Sequence, residues 1–161
     1  EDKREIALVD MLLSTGMRVS EAANIKIRDI NWNGKTILVN GKGNKQRLVP
    51  MSTRCRKHLK EYLEERKGDS DLLFTANKSP YNSLFKSGVQ RIVGRIGDRA
   101  NLPDITVHCF RRYFASDLCR KGVDIKIIQD ILGHKSCNTT TSYYIINDIE
   151  KARYMHSVYA N

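Results

Sequence analysis

Apolar residues at Ile6, Val9, Leu12 and Leu13 recur at the spacing of one helical face, so residues 3–14 predict a helix. Thr15-Gly16 ends it, and a second short helix is predicted over residues 20–25. The period then changes from helical to alternating. Residues 28–31 and 35–39 predict two strands joined at Asn33-Gly34, a dipeptide suited to a tight hairpin. A third strand over residues 46–50 follows a turn at Gly41-Lys42-Gly43-Asn44-Lys45. These three strands predict one small antiparallel sheet in the N-terminal third.

Helical spacing returns after the sheet. Ser52 or Thr53 is placed to cap a helix that carries Leu59, Tyr62 and Leu63 and ends near Gly68. Leu72-Leu73-Phe74 is a short apolar insert, and residues 82–100 set Leu84, Val89, Ile92, Val93 and Ile96 on one face. Thr106 is placed to cap a helix reaching about Lys121, with Gly122 to stop it, and Asp124 to cap the next. Ile145, Ile149, Ala152, Met155 and Val158 predict an amphipathic closing helix. The predicted fold is α+β, mainly α-helical, as a single domain over residues 1–161. No repeat, low-complexity segment or long linker divides it.

Charge narrows the partners. Lys and Arg number 28 against 18 Asp and Glu, a net charge of +10, which favours a polyanion and nucleic acid first. An apolar content of 40% excludes a disordered low-hydrophobicity tail. No apolar run approaches the roughly 18 residues of a membrane span. The opening Glu1-Asp2-Lys3-Arg4-Glu5 has no signal-peptide character, and the missing initiator Met predicts a piece of a longer protein. Cys55, Cys109, Cys119 and Cys137 form no C-x-x-C pair, so free thiols in a reducing cytosol are expected and no zinc or redox motif.

Several residues can carry chemistry, and each has a plainer reading beside it. His108 and Arg111 lie one helical turn apart, a proton acceptor beside a phosphate-gripping fork, though such pairs are common. His134, after Leu132-Gly133, projects from a helix end or serves only as a cation at its dipole. Tyr143 and Tyr144 follow a polar run, and basic neighbours would favour a phenolate; the plainer reading is one core and one exposed Tyr. Arg18, with Glu21 three residues on, is a braced guanidinium or an ordinary surface pair. Lys42, between two glycines, can reach a ligand, and Lys45 and Arg47 would add positive charge to that hairpin, as candidate DNA contacts. Gly34-Lys35-Thr36 imitates a P-loop end, but Asp29 stands where its first Gly is needed.

The order of these elements is more telling than any one of them. Thr-Gly-Met-Arg-Val-Ser-Glu, a Gly-Lys-Gly hairpin, His-x-x-Arg, Leu-Gly-His and a Tyr nine residues later resemble the catalytic domain of tyrosine recombinases, the phage integrase family. The resemblance covers about residues 6–150. It implies catalytic roles for Arg18, Lys42, His108, Arg111, His134 and Tyr143, with Glu21 supporting and Tyr144 the rival nucleophile. It implies DNA strand cleavage and rejoining through a 3′-phosphotyrosyl link, with neither metal, ATP nor other cofactor. Double-stranded DNA at specific sites would be the partner. A homo-oligomer, a tetrameric synapse on DNA, would form through the C-terminal segment, with the chain monomeric alone. A bacterial or phage protein of the cytoplasm, associated with the nucleoid, is implied. The family's N-terminal DNA-clamping domain does not fit in this chain, so a truncated catalytic fragment is expected. Two alternatives are a type IB topoisomerase-like strand transferase and a catalytically silent DNA-binding relative.

Overall fold

The computed structural model describes residues 2–41 and 45–133. The chain begins with α1 (Lys3–Thr15), capped by the Asp2 carboxylate on the Arg4 N–H. This helix is central rather than one-sided. Ala7, Leu8, Met11 and the stripe residue Leu12 are wholly buried, whereas the stripe residues Ile6, Val9 and Leu13 are half-buried, Val9 and Leu13 against the same core. Its buried acids are each paired outward: Glu5 with Arg95 and Arg99, and Asp10 with Arg54 and His58.

α2 (Val19–Asn24) follows, then a 3-10 turn (Ile27–Asp29) and β1 (Ile30–Asn31). The predicted first strand is thus half turn. The Asp29 carboxylate accepts from the Lys26 N–H at 2.9 Å, a local bond that competes with a ladder. β2 (Thr36–Asn40) and β3 (Gln46–Pro50) complete an antiparallel sheet in the order β1-β2-β3, with Ile30 opposite Ile37 and Ile37 opposite Val49. The β1–β2 turn is wider than Asn33-Gly34 predicts. Neither residue has positive φ; Lys35 does, at 53°, and Asn31 Oδ1 accepts from the Gly34 N–H.

α3 (Thr53–Glu65) is capped by Ser52, as expected, whose hydroxyl accepts from the Cys55 N–H. It stops before Gly68 because Arg66 turns extended and donates to the carbonyls of Gly68, Ser70 and Leu72. Leu73 and Phe74 of the apolar insert are buried, Phe74 stacked on Tyr62. α4 (Phe85–Arg99) starts later than predicted because Ser83 bridges to Thr75. α5 (Val107–Arg120) follows its predicted span, although Thr106 makes no side-chain cap bond, and α6 (Ile125–Leu132) starts after Asp124, which caps it through the Lys126 N–H. Phe114, Ala115, Cys119, Ile128 and Leu132 form a second apolar cluster between them. The predicted closing helix lies outside the described residues. No described helix is long and apolar enough to cross a membrane.

Candidate active site

Two glycine-terminated helices build the site. α1 ends at Gly16, whose φ of +59° reverses the chain into an extended Arg18. α6 ends at Gly133, with φ of +66°. A helix leaves its last carbonyls without intrahelical partners, and they carry the negative end of its dipole. Three guanidiniums from three other elements collect on those of α6.

Arg111, in α5 and only 6% exposed, donates through Nη2 to the Leu132 carbonyl at 2.7 Å and through Nη1 to the Gly16 carbonyl at 2.8 Å. Arg18 donates through Nη2 to the Gly133 carbonyl at 3.0 Å and through Nη1 to the Leu132 carbonyl at 3.4 Å. Arg47, in β3, donates through Nε to the Ile131 carbonyl at 2.7 Å. Residues 93 positions apart in sequence (111 − 18) therefore share one carbonyl acceptor.

Glu21 is the acidic centre of this group. Its Oε1 accepts from Arg18 Nη1 (3.0 Å) and Arg47 Nη1 (2.9 Å). Its Oε2 accepts from the Arg18 backbone N–H and Arg47 Nη2, both at 2.8 Å. Burial pushes the Glu21 carboxyl upward, but hydrogen bonds from Arg47, the Arg18 N–H, the Arg47 charge and the Arg18 side chain together outweigh it. The net direction is below the ordinary carboxylate value. A depressed folded value stabilises the fold above the unfolded value of about 4.3 and is lost as pH falls through the lower one. Glu21→Gln is therefore expected to flatten the acid limb of a melting-temperature profile below about pH 4.3. An acid limb that matches the wild type would remove Glu21 from that role.

His108 stands in the first turn of α5, exposed, one turn from Arg111. It lines a cleft of about 610 Å³ with Arg18, Arg111, Ser20, Gln90 and Thr106. Three guanidiniums gather at the end of α6 and two of them share the Glu21 carboxylate, which leaves a local excess of positive charge. The two that face the cleft are fixed by backbone carbonyls, which suits them to a tetrahedral oxyanion.

The structure thus brings Arg18, Glu21, His108 and Arg111 together. Lys42, His134, Tyr143 and Tyr144 lie outside the described residues. Lys45 is exposed on the hairpin. Arg47 differs from its expectation as a DNA contact. Its side chain is 12% exposed and turns inward to Glu21 and Ile131, because position 47 shares the inward face of β3 with Val49. The alternation of β3, with Leu48 exposed and Arg47 and Val49 turned in, is the sequence signal that could have placed it. Away from this group, Cys55 is buried with its thiol pushed up to about 11 by that burial, and His58 pairs with Asp10.

Residues 1–150 match the model of the phage integrase family. Tyrosine recombinase XerC of Anoxybacillus flavithermus is 34% identical over 165 residues, which is 96% of this chain and 54% of that protein. Tyrosine recombinase XerA of Pyrococcus furiosus is 38% identical over 142 residues, covering 87% of this chain and 49% of that protein. Among solved structures, that of XerA recombinase superposes with a TM-score of 0.84 at 36% identity, over 99% of this chain and 58% of that one. XerH recombinase in a post-cleavage complex with a palindromic difH substrate gives a TM-score of 0.80 at 31% identity, over 96% and 45% of the two chains. The chain spans about half the length of the curated relatives it matches.

Proposed function

The chain belongs to the phage integrase family, and from that premise we propose that it is the catalytic domain of a site-specific DNA recombinase. The carrying observation is the shared Leu132 carbonyl, which fixes Arg18 and Arg111 side by side on the cleft that His108 lines. Tyr143 attacks a DNA phosphate; its oxygen bonds to phosphorus and the 5′-oxygen leaves, giving a 3′-phosphotyrosyl link. His108 takes the phenol proton, and Lys42 returns one to the leaving oxygen. Arg18 and Arg111 hold the nonbridging oxygens as charge builds there, and His134 adds a hydrogen bond. Rejoining runs the same steps backward with a new 5′-hydroxyl. The phosphotyrosine conserves the bond energy, so no ATP enters the balance, and the two guanidiniums take the charge-neutralising part that a divalent metal would play.

The domain comprises residues 1–161, and the +10 charge serves the DNA backbone. Lys45, exposed on the hairpin, meets phosphate in this reading. Relatives nearly twice as long fit a whole protein with a further domain; in this reading that domain clamps DNA, and the whole protein works as a tetramer on paired sites through its C-terminal segment. The reading places it in a bacterial or phage-infected cytoplasm, on the nucleoid.

The test is covalent trapping in EDTA on nicked suicide duplexes, built from sequences that the full-length protein retains out of a random DNA pool. A protein–DNA adduct is expected, with peptide mapping placing the link on Tyr143. A link on Tyr144 moves the nucleophile by one residue. DNA binding with no adduct overturns the enzymatic reading and leaves a binding protein.

A further inference from the structure

We infer that Arg47 is a positioning residue for Arg18, which it holds in place through Glu21 and the end of α6. The inference rests on the proposed role of Arg18 as a phosphate-binding group.

An arginine on the inward face of a strand needs partners, and Arg47 has a complete set. Across the sheet it faces Val39, and two residues on is the buried Val49. Its fork grips both oxygens of Glu21 at 2.8–2.9 Å while Nε holds the Ile131 carbonyl at 2.7 Å. One planar group thereby fastens β3 to α2 and to α6. Each of these elements leads into a site residue. Lys42 lies five positions before Arg47, Arg18 is the N-cap of α2, and His134 follows the Gly133 that ends α6.

Arg18 needs such help. Its side chain is 40% exposed, and its own carbonyl bonds, at 3.0 and 3.4 Å, are longer than the 2.7 and 2.8 Å bonds that hold Arg111. Glu21 Oε1 accepts from Arg18 and Arg47 alike, so the carboxylate sits where Arg47 fixes it, and Arg18 follows. The approach is close: a Cβ at Gly133 would lie 3.2–3.3 Å from the Arg47 side chain, and that glycine carries the carbonyl that Arg18 Nη2 uses. A lysine keeps the charge but cannot serve a carboxylate fork and a carbonyl together.

The experiment compares Arg47→Met, Arg47→Lys, Glu21→Gln and the Arg47→Met/Glu21→Gln double variant in the full-length protein, on the suicide duplexes above. DNA affinity is expected to stay within about threefold, while cleavage at saturating DNA falls about 30-fold or more in both Arg47 variants, the signature of a lost transition-state contact. The double variant is expected to be no slower than the slower single, because both act on one network. In DNA-free protein, NMR order of the Arg18 Nε–H group is expected to drop in Arg47→Met and Arg47→Lys. Weaker DNA binding with unchanged cleavage at saturation, restored by Arg47→Lys, overturns the inference and makes Arg47 a phosphate contact. Unchanged Arg18 order in Arg47→Met also overturns it. That second readout needs no cleavage, so it decides on Arg47 even where the wild type forms no adduct and the recombinase reading itself has failed.

Discussion

Arg111→Ala is expected to slow covalent adduct formation at saturating DNA by about 10²–10³, the usual loss when one oxyanion donor is removed. The same change is expected to cost about 2–4 kcal/mol of stability, because buried polar groups lose a charged partner. Both effects come from one side chain with two duties. Its Nη1 and Nη2 tie the end of α1 to the end of α6 through Gly16 and Leu132, and the guanidinium lines the cleft beside Arg18 and His108. Arg111→Lys separates the duties. The ammonium keeps the positive charge in the cleft, yet cannot span two carbonyls on different helices in one plane. Its cleavage rate is expected to stay near that of Arg111→Ala. Single-turnover cleavage measured well below each variant's melting temperature is the check. If Arg111→Ala lowers the melting temperature but cleaves at the wild-type rate, Arg111 is scaffold only.

The elements that hold this site together were legible where local rules govern. Ser52 and Asp124 cap helices through their own side chains, and the alternation of residues 46–50 is kept as β3. Arg18, Glu21, His108 and Arg111 were found by their order along the chain, and the first pair really is joined at i, i+3. What the residues could not show was distance across the fold. The meeting of Arg18, Arg47 and Arg111 on the successive carbonyls of Ile131, Leu132 and Gly133, at the end of α6, depends on backbone acceptors, which have no sequence signature. Beside Lys45, Arg47 reads as surface charge, whereas the alternation of β3 sets it on the inward face with Val49. The stripe of α1 predicts the helix itself, which forms as Lys3–Thr15, and Leu12 of that stripe is wholly buried. A helix packed on several sides buries Ala7, Leu8 and Met11 as fully as any periodic face, so spacing alone does not single out the buried side.

Gly16→Ala tests how far the oxyanion site depends on a helix terminus rather than on its charged residues. The position has φ of +59°, and an alanine there would meet Phe114 Cδ1 at 2.6 Å and Leu132 Cδ2 at 3.0 Å. Left-handed backbone costs about 1–2 kcal/mol for a residue with a Cβ. Overpacking adds about 1–3 kcal/mol, so a loss of about 2–5 kcal/mol is expected. In a domain of this size that lowers the melting temperature by roughly 5–15 °C. Gly122→Ala supplies the control. Its φ is +77°, but nothing lies within 4 Å of the added Cβ, so it should show the backbone cost alone. Gly16 also presents the carbonyl that Arg111 Nη1 uses, whereas Gly122 only ends α5. Cleavage should therefore fall in Gly16→Ala at temperatures where both variants are folded, and hold in Gly122→Ala. Equal melting temperatures in the two variants would mean that Phe114 and Leu132 yield at no cost. Equal cleavage rates would mean that Arg111 keeps its place without the α1 terminus.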